Sequence, residues 1–145
     1  MIKEERHRGI IKFHSKFIYD FVSEWLSFGK NKTLTVRLKN SLNFYSAEFL
    51  QGFILGLALT DGYLKNKFIF TTISENLANN VINILRESGF TPRLYVHKRK
   101  RYGWHDLFMI SLKKAESKNL LDIFDDSLRK INYSQGFIFL KGYLK

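Results

Sequence analysis

The stretch "GFILGLALTDGYL", residues 52 to 64, sets nine apolar or small residues directly before an Asp-Gly pair. Gly52, Gly56 and Thr60 fall four apart, so on a helix they share one face. Gly inside a helix costs about 1 kcal/mol relative to Ala. Two on one face point to a second backbone passing closer than the usual roughly 8–10 Å between helix axes, or to ordinary packing on a sheet. The segment is apolar nearly all round, so it is expected to be buried. Asp61 then stands at the helix C-terminus, where the dipole disfavours negative charge by roughly 0.3–1 kcal/mol. Two readings fit it: a ligand for a divalent cation, which reverses the local electrostatics, or a plain Asp-Gly turn. A two-residue hairpin turn wants alternating strands on both sides, and the residues before Asp61 do not alternate.

Working outward, Ser46 is a plausible N-cap for a helix over Ala47 to Thr60, which Gly62 ends. "YLK", a turn at Asn66-Lys67 and "FIFTTIS" read as a hairpin. A helix follows over Glu75 to Glu87, with Leu77, Val81, Ile82 and Leu85 as its apolar face and Gly89 as its cap. "RLYVHKR" and "DLFMISL" read as strands joined by a turn near Tyr102-Gly103, and Glu116–Asp125 and Ser134–Leu144 as two short helices. Upstream, Phe13, Phe17, Phe21 and Trp25 recur every fourth residue, which predicts a helix from Ile10 to Leu26 with a core-facing stripe, Gly29 as its C-cap, and a strand over "TLTVRL". Setting Gly29 on Gly89 aligns Phe17 with Leu77, Trp25 with Leu85, Leu34 with Leu94 and Val36 with Val96. Either the units are duplicated, or any two helix-Gly-strand units look alike.

The element order predicts an α+β fold: one antiparallel β-sheet saddle with helices on one face, an α-β-β-α-β-β-α core preceded by an N-terminal helix-strand unit. We divide the chain into an extension at 1–45 and a domain at 46–145, together one compact body. Of 145 residues, 45% are hydrophobic and 26% charged, an ordinary globular balance. The formal charge of +11, from 24 Lys and Arg against 13 Asp and Glu, predicts an anionic partner, nucleic acid first and a membrane surface second. There is no Cys, which excludes disulfides, thiolate zinc sites and Cys nucleophiles. The four His are scattered singly. The N-terminus is charged, and the run Phe49 to Leu59 is far short of the roughly 20 residues that span a bilayer. A soluble, cytoplasmic protein without a membrane partner is expected.

"ILGLALTDG", residues 54 to 62, resembles the nine-residue motif of the LAGLIDADG homing endonucleases. Gly56 takes the motif's internal Gly, Leu57 the apolar residue after it, Asp61 its acid and Gly62 its last Gly. Leu59 replaces the motif's first Asp, and Thr60 replaces a small residue at the helix crossing. The resemblance covers about residues 46 to 135 and implies a DNA-facing saddle. It also implies that two such helices cross at a dyad, each presenting one Asp to the scissile phosphates. The chain has one recognisable motif, so a homodimer through Gly52, Phe53, Gly56 and Thr60 is implied. With it come Mg²⁺ (or Mn²⁺) held at Asp61 and Thr60, a basic residue near the metal (Lys130, with Arg129 as the alternative), and Ser74 ordering active-site water. A C-terminal echo, "QGFIFLKGYL", lacks the acid and reads as chance.

Between Gly62 and His105 there are eight Lys or Arg and two acids. Strand alternation puts Leu94 and Val96 toward the helices and Arg93, Tyr95, His97 and Arg99 on the other face. It likewise puts Phe68, Phe70 and Thr72 inward, leaving Lys67, Ile69 and Thr71 outward. A basic, hydrogen-bonding antiparallel face fits a duplex major groove. The tip Lys98, Arg99, Lys100 and Arg101, with Lys65, would mostly grip phosphates. The bland alternative is a solvated charged hairpin. Three readings remain: a Mg²⁺-dependent, site-specific endonuclease of double-stranded DNA; a catalytically inactive DNA-binding regulator or intron RNA maturase of the same descent, with RNA as the second polymer; and a monomeric remnant of a two-motif protein.

Overall fold

A computed structural model describes residues 2–5, 10–13, 16–27, 29–60, 62–63 and 67–129. In chain order its elements begin with a hairpin, β1 (Ile2–Glu5) and β2 (Ile10–Phe13), then α1 (Lys16–Trp25), β3 (Leu26–Ser27), α2 (Lys32–Thr35) and β4 (Arg37–Leu38). The core run follows: α3 (Ala47–Thr60), β5 (Gly62–Tyr63), β6 (Ile69–Thr72), α4 (Glu75–Glu87), β7 (Arg93–His97), β8 (Leu107–Ser111) and α5 (Lys114–Arg129). From α3 onward this is the predicted α-β-β-α-β-β-α order. The four strands pair antiparallel in the order β5-β6-β8-β7.

The core lies between this sheet and α3, α4 and α5. Phe68, Phe70, Ile110 and Leu112 meet Ile54 and Ala58 of α3, Val81 and Leu85 of α4, and Leu120 and Phe124 of α5 in one buried cluster. Burying a Leu, Ile or Phe side chain contributes about 1.5–3 kcal/mol. Helix α4 is closed at both ends. Ser74 Oγ accepts from Leu77 N at 3.2 Å, and Gly89, at φ 87, turns the chain so that its N–H reaches Arg86 O and that of Phe90 reaches Leu85 O. That is the paired bonding of a Schellman cap. Ser46 likewise caps α3, accepting from Phe49 N at 3.1 Å.

Gly62 is needed for close approach. A Cβ built there would stand 2.6 Å from Ala58 Cα and 2.8 Å from Ala58 O, so any larger residue would push the start of β5 off the last turn of α3.

The N-terminal expectations need correcting. Ile10–Phe13 is a strand paired with Ile2–Glu5, and the helix starts only at Lys16. Three β-branched or aromatic residues in Ile10, Ile11 and Phe13 favour an extended chain where a partner strand is at hand. The stripe does not face the core: Phe17 is 78% and Phe21 57% exposed. Helix α1 is anchored at its far end, where Trp25 packs on Phe49 with ring centroids 4.9 Å apart and Tyr45 stacks on Phe49 at 4.8 Å.

The strand expected over "TLTVRL" is instead one helical turn followed by the short β4, which pairs with β3. Thr35 makes the difference, donating its hydroxyl to Asn31 O at 2.8 Å and accepting from Gly29 N at 2.7 Å. Local bonds of this kind compete with a strand ladder. Gly29 therefore does not cap α1. The aligned repeat also ends here, because Leu34 is helical and Leu94 is in a strand. At the other end of the chain one helix, α5, replaces the shorter 116–125 expectation, while residues 134–144 lie outside the described residues.

Residues ahead of α3 still join the core. Leu38 and Tyr45 are buried in the cluster, Leu38 N donates to Asn80 Oδ1 of α4 at 2.9 Å, and Ser74 Oγ donates to Val36 O at 2.7 Å.

Candidate nucleic-acid interface

Directly opposed residues of antiparallel strands lie on one face of a sheet. The rows Phe70–Ile110–Leu94 and Thr72–Phe108–Val96 belong to the helix side, where Phe70 and Ile110 are buried. The rows Ile69–Ser111–Arg93, Thr71–Met109–Tyr95 and Leu107–His97 belong to the other face. Thr71, Arg93, Tyr95 and His97 therefore stand together on the open side, as alternation implied, with Lys67 half-buried just before β6. The structure departs from expectation at the edge. Strand β7 is exposed along its whole length, and Leu94 and Val96, which should have packed under helices, are 43% and 39% exposed.

The turn joining β7 to β8 is built around an acid that the sequence reading passed over. Asp106 accepts from Lys98 Nζ at 2.9 Å and from Arg99 N at 3.2 Å. The Lys98 ammonium beside it holds its carboxyl below the usual carboxylate range, against partial desolvation and with help from the Arg99 N–H. Arg99 does not extend along the open face. It folds back, its Nε donating to His105 O at 2.9 Å and its guanidinium standing 5.6 Å from the Trp104 ring centroid. Gly103, at φ 70, closes the turn. Lys98 and Arg99 thus stiffen the tip, while Lys100 and Arg101 are exposed upon it. The clue to Asp106 was an acid standing a few residues after "KRKR", across the turn from it.

Helix α3 buries Leu50, Ile54 and Ala58 and turns Gly52 and Gly56 outward. Among the described residues outside the helix's own backbone, nothing lies within 4 Å of a Cβ built at either glycine. This corrects two expectations: the helix is not buried all round, and the glycines do not pack on the sheet. Phe53 between them is half-buried. Helix α3 ends at Thr60 and β5 begins at Gly62. Asp61, Lys65 and Lys130 lie outside the described residues. Ser74 is fully buried, with its hydroxyl committed to Val36 and to the α4 cap.

A family model described as a LAGLIDADG-like domain matches residues 48–127, more than half of the chain, from the first turn of α3 to the last turn of α5. The chain belongs to the LAGLIDADG-like domain family. A comparison with curated proteins gives no match. A LAGLIDADG-like domain points to a function of the homing-endonuclease or maturase kind, with DNA binding and often dimerisation. Members of the family are generally nucleases, some inactive, and the endonucleases typically use divalent metals. In this LAGLIDADG-like domain the motif helix is α3, and the four-stranded sheet and its basic tip both fall inside the matched residues. Among the described residues no helix is long and apolar enough to cross a membrane.

Proposed function

We propose that the chain is a homodimeric, divalent-metal-dependent endonuclease that cuts double-stranded DNA at a specific site inside the cell. The observation that carries this reading is the outward-turned small-residue face of α3, where a Cβ at Gly52 or Gly56 meets no described residue within 4 Å. A second copy laid on that face through Gly52, Phe53, Gly56 and Thr60 forms an isologous contact. The dyad then brings together two Asp61 residues, one from each copy.

The donor chemistry fits a hard cation. The Asp61 carboxylate and the last-turn oxygens at Thr60 are the ligands Mg²⁺ or Mn²⁺ takes. The chain on either side of Asp61 is held, α3 through Thr60 and Gly62 against the Ala58 backbone. When bound, the ion activates water and stabilises the leaving oxygen of phosphodiester hydrolysis. The chain's own residues do the rest. Lys130, or Arg129 in its place, polarises the attacking water. Lys67, Thr71, Arg93, Tyr95 and His97 read base edges, and Lys65, Lys100 and Arg101 hold phosphates, with Lys98 and Arg99 shaping the tip between them.

Asp61→Asn tests this. The amide keeps the shape and loses the charge, so strand cleavage with Mg²⁺ is expected to vanish while DNA binding and folding persist. A wild-type protein that sediments as a monomer at micromolar concentration with and without DNA, or an Asp61→Asn protein that still cleaves, overturns the proposal. One observation favours the inactive regulator or maturase instead. Ser74, which the resemblance assigned to active-site water, has its hydroxyl buried and engaged in holding the fold.

A further inference from the structure

The β7–β8 tip and the start of α4 border an open cleft of about 360 Å³, of whose lining the reading above uses only Lys100. Its floor includes Ile73 and Phe108; Glu75 and Asn76 line it from α4, and Lys100 and Trp104 line it from the tip. Phe108 belongs to a helix-side row, so the cleft opens away from the face carrying Arg93, Tyr95 and His97.

Trp104 is 61% exposed. An exposed Trp on a loose loop needs no explanation, but this loop is not loose. Asp106 fastens Lys98 and the Arg99 backbone, Arg99 reaches His105 O, and Gly103 N donates to Lys100 O at 2.9 Å. The Arg99 guanidinium beside the indole adds a cation–π contact. The indole is thus a flat surface fixed in place before any ligand arrives. The Asn76 amide and the Glu75 carboxylate line the cleft and can pair with the donor and acceptor edge of a heteroaromatic ring, with His105 and Asp106, the latter clasped by Lys98, also in its lining. The rim holds a lysine, which suits an anion.

From these groups we infer that the cleft binds an unpaired nucleotide, its base stacked on Trp104, its polar edge at Asn76 and Glu75, and its phosphate at Lys100. A base inside a duplex offers no free face to Trp104, so the nucleotide comes from a single strand, a bulge or an end that wraps the tip. The inference rests on the reading of the chain as a nucleic-acid binder and adds a second surface to it. Stacking on an aromatic platform is worth roughly 5- to 150-fold in affinity per base, as read by alanine substitution.

The test uses the full chain and three probes: a perfect duplex, the same duplex with a three-nucleotide bulge, and a single strand made as oligo(dT) or oligo(U). The wild type is expected to bind the bulged duplex roughly 5- to 150-fold more tightly than the perfect one. Trp104→Ala and Asn76→Ala should erase that preference and leave perfect-duplex affinity unchanged. Trp104 fluorescence should be quenched by the bulged probe; Trp25, the other of the two Trp residues, is packed on Phe49 and serves as a steady background. Equal wild-type affinity for perfect and bulged duplexes, or a preference that survives Trp104→Ala, overturns the nucleotide cleft alone. Failure to bind any probe overturns it together with the nucleic-acid reading. A stronger response to oligo(U) or to oligo(dT) identifies which polymer supplies the nucleotide.

Discussion

Helices α3 and α4 are 14 and 13 residues long and feed the same core, yet they use their apolar residues differently. Helix α4 is amphipathic. Its Leu77, Ala78, Val81, Ile82, Ile84 and Leu85 are buried, while its polar residues face out except Asn80, which turns in to accept from Leu38 N. Everything it needs is supplied by one chain. Helix α3 has apolar residues left over. Leu50, Ile54 and Ala58 satisfy the core, and the opposite side carries glycines where a soluble helix would carry Lys or Glu. Both glycines lower helix propensity without relieving any crowding among the described residues. A helix that is complete in itself and a helix that is not can therefore be told apart by what a single substitution does.

The largest effect is expected at α4. Leu85→Ala removes a buried side chain from a packed core and should destabilise by about 2–5 kcal/mol in urea unfolding, with no specific effect on assembly. A loss under about 1 kcal/mol would mean that α4 is less tightly held than its burial implies.

The two N-caps sharpen the contrast. Ser74 is buried and serves both its helix and Val36 O, whereas the exposed Ser46 serves only Phe49 N. Ser74→Ala is expected to cost about 2 kcal/mol, since a buried carbonyl also loses its donor. Ser46→Ala should cost about 0.5–1 kcal/mol. Equal losses would remove the distinction between the two helix starts.

The smallest energy carries the most information. Gly52→Ala and Gly56→Ala should each raise the stability of the isolated chain by up to about 1 kcal/mol, because the methyl meets nothing and helix propensity improves. The same methyls should weaken self-association in sedimentation. A rise in melting temperature with unchanged association would break the assignment of this face to a second copy.

The legible parts of the sequence were those governed by local chemistry. Ser46 and Gly89 marked helix ends, and period-two alternation sorted Thr71, Arg93, Tyr95 and His97 onto one face. The aromatic spacing of Phe13, Phe17, Phe21 and Trp25 misled. Periodicity reports which residues could share a helix face, but not whether another element covers it, and here Phe17 and Phe21 are exposed while Trp25 packs against the core. "TLTVRL" alternates like a strand, yet the Thr35 hydroxyl, bonded to Asn31 and Gly29, wins over that pattern. Asp106 was missed because an acid in a basic hairpin reads as dilution of charge rather than as the clasp of the turn. Nothing in the composition marks Trp104 as exposed, since Trp is ordinarily counted toward a core.

One feature of β7 bears on how the protein behaves in solution rather than on what it binds. It is one of the sheet's two edge strands, open on both faces, with Leu94, Tyr95 and Val96 side by side in the chain. Such an edge is a template on which another extended chain can add itself, the first step of ordered aggregation. Arg93 at one end and Lys100 and Arg101 on the tip beyond the other act as gatekeepers, since stacking copies of the strand would stack their charges. When counterions crowd these basic side chains, that protection thins. In the proposed complex, bound nucleic acid would cover the same strand. The basic residues thus protect the protein from itself during the interval when it has no partner.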